Sequence, residues 1–118
     1  MSGALRVTGV TQQIDVADLA RARGFYDALF GAEPSIIVDD DTVEYEVQAG
    51  FWVQVTVQDP PRGAQRCRFG VADIVEAHAA LLALGVDVTP VDTVPEFVSW
   101  CDFTDPDGNP LGLYQDLS

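Results

Sequence analysis

The chain has 118 residues, 47% of them hydrophobic and 21% charged. That is enough for one compact core and too little for two conventional domains, since folded units below ~50 residues rarely stand alone. Six basic against nineteen acidic side chains give a net charge of −13, a field that repels nucleic acid and anionic membranes and gathers cations. No basic segment followed by an apolar run opens the chain, and nowhere do the ~20 consecutive apolar residues of a membrane span occur. The expectation is a cytoplasmic protein with neither a nucleic-acid nor a membrane partner. Cys67 and Cys101 are too few for a disulfide framework and are not spaced as a metal knuckle or redox pair, so both are read as buried small hydrophobes.

Residues 5–16 are rich in β-branched side chains and end in alternation, which predicts a strand. A helix follows: Leu19, Ala22, Phe25, Tyr26, Leu29 and Phe30 recur at three- and four-residue steps, with Asp18 as N-cap and Gly31 as stop. After Pro34, residues 35–38, 42–47 and 51–57 read as three short strands joined by an acidic turn and by the turn Gln48–Gly50. Residues 58–65, with their Pro and Gly, read as a linker. The order then restarts. Residues 66–71 predict a strand and residues 73–85 a helix with Ile74, Ala77, Leu81 and Leu84 on one face; residues 86–91, 96–103 and 110–115 predict strands. Asp105–Asn109 is the turn before the last of them. Asp73-Ile74 repeats Asp18-Leu19 and Gly85 repeats Gly31 at an offset of 54 or 55 residues, so the organising feature is a duplicated βαβββ unit.

Residues 16–31, VADLARARGFYDALFG, are similar to the opening strand-to-helix signature of the vicinal oxygen chelate superfamily, which includes glyoxalase, bleomycin-resistance and ring-cleavage dioxygenase proteins. Residues 103–113, FTDPDGNPLGL, are similar to its closing hairpin. The resemblance implies an α+β fold: one domain over 1–118 whose two βαβββ modules, 5–57 and 66–115, form curled sheets around a cleft with the helices outside. It also implies a homodimer.

Strand alternation then assigns faces. Ile14, Val16, Val53, Val55, Phe69, Val71, Cys101, Phe103, Leu111 and Leu113 should back onto the helices. The opposite parity carries Thr11, Gln13, Asp15, Trp52, Gln54, Thr56, Arg66, Arg68, Trp100, Asp102, Pro110, Gly112 and Tyr114, with Glu44 and Glu46 if Tyr45 and Val47 face the core. Metal-dependent relatives place His, Gln or Glu ligands at positions that fall here on Thr11, Gln54, Arg66 and Gly112. Gly112 has no side chain where the metal-binding Glu usually sits, and Arg66 sets a cation against the ion. The sole histidine, His78, lies on the second helix, away from the cleft strands. No metal and no other cofactor is expected, and the metal-dependent activities fall with the site. Ser99 and Cys101 have no nucleophile motif around them, and the turn at 105–109 lacks the alternating carboxylates of a calcium loop.

The superfamily's metal-free alternative is sequestration of a cationic aromatic antibiotic, as in bleomycin-resistance proteins. The negative charge, the aromatics Trp52, Trp100 and Tyr114, and the carboxylates Asp15, Glu44, Glu46 and Asp102 fit it, because aromatic faces attract cations and planar rings. The expected ligand-binding set is therefore Gln13, Asp15, Glu44, Glu46, Trp52, Gln54, Arg66, Arg68, Trp100, Asp102 and Tyr114, with no catalytic residue. Arg66 and Arg68 either pair with the carboxylates or hold an acidic group of a mixed-charge ligand. The other readings are a divergent lyase, isomerase or dioxygenase of the same superfamily, and a regulatory or structural dimer without ligand.

Overall fold

The computed structural model describes residue 4, residues 6–60 and residues 65–118. Residue 5 of the expected first strand and residues 61–64 of the expected linker lie outside the described residues. The chain divides into two units at residue 62. The first consists of β1 (Val10–Val16), α1 (Leu19–Phe30), β2 (Ile36–Asp39), β3 (Thr42–Gln48) and β4 (Phe51–Val57), in one sheet of order β1-β4-β3-β2. The second repeats the order with β5 (Cys67–Gly70), α2 (Ile74–Ala83), β6 (Asp92–Val94), β7 (Val98–Thr104) and β8 (Pro110–Asp116), in a sheet of order β5-β8-β7-β6. In each unit the first and last strands pair in parallel and the others antiparallel. A parallel pair needs a long crossover, which the helix and the two middle strands supply. The architecture is the expected α+β duplication.

Both helices are capped by the expected aspartates and followed by the expected glycines. The Asp18 carboxylate accepts from the Arg21 N–H at 2.9 Å, and that of Asp73 from the N–H groups of Val75 and Glu76 at 3.0 and 3.1 Å, each satisfying donors that a helix's first turn leaves open. Gly31 and Gly85 end them at φ 66° and 80°, a region where a side chain is strained. The alternation holds as well: Ile14, Val16, Val53, Val55, Cys101, Phe103, Leu111 and Leu113 are all buried, joined by Val43 and Tyr45. Phe69 and Val71 are only half-buried, because β5 is a four-residue strand at the edge of its sheet. Cys67, on the same strand, is also half-buried rather than buried.

Four expectations are corrected. The first strand begins at Val10, not residue 5: its partner β4 begins at Phe51, and the Val10 N–H already bonds Gly50 O at 2.7 Å, so residues 6–9 have no ladder to join. Residues 86–91 are not a strand; the third-from-last strand is Asp92–Val94. Pro90 has no N–H to give to a ladder. Thr89 instead binds Asp102 twice, its N–H donating to Asp102 O and its hydroxyl accepting from the Asp102 N–H, both at 2.9 Å. The strand expected from residue 96 starts at Val98, since Glu96 sits at φ 73° in the preceding turn. Leu84 is exposed because α2 ends there, so the buried face of that helix rests on Ile74 and Leu81.

Tyr26 of α1 is fully buried among Phe25, Phe30 and Tyr45. Tyr45 donates its hydroxyl to Asp27 Oδ1 at 2.6 Å, tying sheet to helix. Burial, and next the Asp27 carboxylate, push this phenol far above its ordinary value of 10.0. A group that holds its proton more tightly when folded stabilises the fold below the unfolded value and loses that contribution as pH climbs beyond it. Tyr45→Phe should therefore cost about 1 kcal/mol at neutral pH and show a shallower loss of stability above pH ~10. Urea denaturation of both proteins on either side of that pH checks this; parallel losses would refute it.

Candidate functional site

The face of each sheet turned away from its helix carries the polar and aromatic parity. In the first unit, strand register lays it out in rows: Thr11, Trp52 and Glu46; then Gln13, Gln54, Glu44 and Ile36; then Asp15, Thr56, Thr42 and Asp39. Trp52, Gln54 and Glu44 are half-buried, while Thr11, Gln13 and Glu46 are exposed. Asp15 is buried at 7% exposure and accepts from Gln13 Nε2 at 2.9 Å. Thr42 and Thr56 share a hydroxyl hydrogen bond of 2.7 Å. Glu46 Oε2 accepts from the Gly50 N–H at 3.2 Å, which ties that carboxylate to the turn between β3 and β4. Glu44 makes no ion pair among the described residues.

On the helix-free face of the second unit, two adjacent rows hold the aromatic rings and the arginine pair. One runs Gly70, Tyr114, Trp100 and Asp92; the next runs Arg68, Gly112 and Asp102. Trp100 is half-buried and Tyr114 is 40% exposed. Each row contains a glycine on which a neighbour lies. A Cβ on Gly70 would come within 2.8 Å of the Tyr114 ring carbon Cζ and hydroxyl; one on Gly112 would meet Asp102 Oδ1 at 2.7 Å and Arg68 Cγ at 2.8 Å. Glycine within a strand commonly marks such close approach, so sequence reasoning had a signal here beyond the missing ligand. Arg68 grips Asp102 side-on with one edge of its guanidinium, Nε donating to Oδ1 at 3.1 Å and Nη2 to Oδ2 at 3.2 Å. Arg66 donates through Nη1 to Leu111 O at 2.6 Å and lies 3.4 Å from Asp102 Oδ1. Thr89 holds the Asp102 backbone on both sides, a contact that no periodicity announced.

The residues at the family's ligand positions do not fit a divalent ion. Gly112 offers no donor, and the space where a side chain would begin is filled by the Arg68–Asp102 pair. Arg66 directs a guanidinium to the Leu111 carbonyl and to Asp102. A divalent ion wants several imidazole, thiolate or carboxylate ligands; among the described residues no group of three or more His, Cys, Asp or Glu is placed to supply them. His78 sits on α2, its Nε2 2.9 Å from Thr89 O. Burial, helped by the Asp102 charge, raises the Cys101 thiol, which keeps it protonated and a poor nucleophile. Asp105, buried at 4%, accepts from the N–H groups of Asp107 and Asn109 and from the Asn109 amide, the bonding of a turn.

A sequence profile of the glyoxalase-like domain matches residues 12–114. The chain belongs to the glyoxalase-like domain family. Its fold is shared with a glyoxalase / bleomycin resistance protein from Catenulispora acidiphila, at 20% identity and a TM-score of 0.78, over 91% of this chain and 96% of that one. An antibiotic binding protein from a Streptomyces species is 22% identical with a TM-score of 0.75, over 98% and 99% of the two chains. A lactoylglutathione lyase from Agrobacterium tumefaciens is 17% identical with a TM-score of 0.75, over 97% and 95%. At such identities the likeness speaks for the fold, and this glyoxalase-like fold carries both binders and enzymes. No protein of curated function matches the chain. Among the described residues no helix is long and apolar enough to cross a membrane.

Proposed function

We propose that this glyoxalase-like protein is a non-enzymatic binder of planar aromatic small molecules, acting in the cytoplasm as a homodimer and conferring resistance by sequestering a toxic, antibiotic-like compound. The observation that carries the reading is Gly112. Where a metal enzyme of this fold needs a carboxylate, the chain has a glycine overlain by an ion pair, beside the accessible rings of Trp100 and Tyr114. A scaffold without its metal donors, yet with aromatic platforms on each sheet, suits holding a molecule better than transforming it. The likeness in fold to an antibiotic binding protein supports the same reading. The first unit's Trp52 and Glu44, in a chain of net charge −13, favour a cationic group on the ligand.

Three measurements on the purified protein test this together. Elemental analysis should find no stoichiometric zinc, nickel, iron or manganese. Light scattering should give about twice the 12.7 kDa mass of one chain. An aromatic compound that quenches tryptophan fluorescence should be recovered chemically unchanged. One metal per chain, or turnover of the compound, would overturn the binder reading in favour of a lyase, isomerase or dioxygenase; a monomer would overturn the dimer alone.

A further inference from the structure

We infer that the helix-free face of the second unit carries an anion subsite, in which Arg66 and Arg68 hold the carboxylate of a planar aromatic acid while Trp100 and Tyr114 stack on its ring. This rests on the binder reading and names the ligand's chemistry more closely: an acidic group is recognised in this unit whatever charge the rest of the ligand bears. The chain has only six basic residues against nineteen acidic ones, yet two of the six converge on one carboxylate, Asp102. Two guanidinium charges on one carboxylate leave a net positive charge at this spot in a strongly negative protein.

The donors are not used up. Each guanidinium has five N–H groups, and the bonds to Asp102 and Leu111 O occupy a minority of them. The side chains of Arg66 and Arg68 are 38% and 39% exposed, so an incoming carboxylate can reach them. Asp102, its backbone fixed by Thr89, holds the two forks in place before any ligand arrives, and a planar fork presented in advance suits bidentate carboxylate recognition. Gly112 lets Arg68 lie close against the sheet, and Gly70 does the same for Tyr114. The arginine and aromatic rows are two residues apart along each strand, about 7 Å, a separation that a fused ring bearing a carboxylate can bridge. Asp92, across from Trp100 at the far end of its row, and Asp116, two residues beyond Tyr114 on β8, are the acidic neighbours that an acid would have to avoid, and both sit on the side away from the arginines.

Calorimetric titration with naphthoate and with the uncharged naphthamide tests the inference on the intact protein, on the R66Q/R68Q double variant and on D102N. Naphthoate should bind at least tenfold more tightly than naphthamide. The double variant should abolish that preference, bringing naphthoate down to the affinity of naphthamide. D102N, which keeps an oxygen to hold the two forks and removes only the competing charge, should tighten naphthoate several-fold, a gain that a purely structural ion pair would not give. Equal affinities for the two probes, a preference that survives in the double variant, or a loss in D102N would each overturn the subsite. If neither probe binds while an aromatic cation still does, the anion subsite falls and the binder reading stands; if none of the three binds, both fall. Should the double variant fail to fold, D102N decides alone.

Discussion

Replacing Gly112 by alanine is expected to destabilise the protein by about 1–2 kcal/mol and to dislodge the Arg68–Asp102 pair. Two opposed effects decide the sign. Alanine restricts the unfolded chain more than glycine does, a gain of ~0.4–1 kcal/mol. Against it stands overpacking, commonly ~1–3 kcal/mol. The added Cβ would lie 2.7 Å from Asp102 Oδ1, 2.8 Å from Arg68 Cγ and 2.8 Å from the Cys101 carbonyl oxygen. Only the first of these is the free end of a side chain. Arg68 Cγ is near the root of its side chain, and the Cys101 carbonyl belongs to β7, held to β8 by seven register pairs, so the clash wins. Truncating Arg68 to alanine first should relieve part of the penalty and leave the part due to the Cys101 carbonyl. Urea denaturation of the single and double variants measures both; a Gly112→Ala protein as stable as the parent would show that the glycine is not needed for the pair's position.

The duplication, the helix caps and the buried face of the sheets were legible in the sequence because each depends on a local, repeating cause. Asp18 and Asp73 cap because a short carboxylate before an apolar helical run can reach the first-turn donors. Val53, Val55, Leu111 and Leu113 are buried because strand side chains alternate, and that alternation does not depend on the partner strand. What the sequence concealed depends on contacts between distant residues. The span 86–91 has the composition of a strand, but its pairing is a single bidentate contact from Thr89 to Asp102. Leu84 continues the apolar helical period, yet the helix ends beneath it.

The polar face of each sheet was legible as a set of residues and not as a set of interactions. The four carboxylates expected in the ligand-binding set lie on the helix-free faces, yet three of them are engaged within the protein: Asp15 with Gln13, Glu46 with the Gly50 N–H, and Asp102 with Arg66 and Arg68. Formal charge cannot reveal this, because a carboxylate counts the same whether it faces water or a guanidinium. The net charge of −13 therefore says little about the field around Asp102, where two arginines meet the one acid they hold.

On the first unit the same accounting leaves Trp52 and Glu44 as the groups suited to a cation, and Trp52→Ala should lower affinity for a planar aromatic cation such as proflavine at least tenfold. Trp52 lies in one row of the helix-free face and Glu44 in the next, so a ring on the indole places its charge within about 7 Å of the carboxylate. A cation over a tryptophan face gains ~0.5–1 kcal/mol when exposed and ~2 or more when desolvated, and the half-buried indole lies between those limits, near the 1.4 kcal/mol of a tenfold change. The two contributions respond differently to salt. The Debye length shrinks from ~10 Å at 0.1 M to ~3 Å at 1 M, so the Glu44→Gln loss should be clear at low salt and vanish at high salt. The Trp52→Ala loss should persist at both. Fluorescence titration reads the two variants against the parent. Flat fluorescence with the parent, or a Trp52→Ala protein that binds proflavine undiminished, would show that this face does not hold the cation and that the acidic composition describes the surface rather than the ligand.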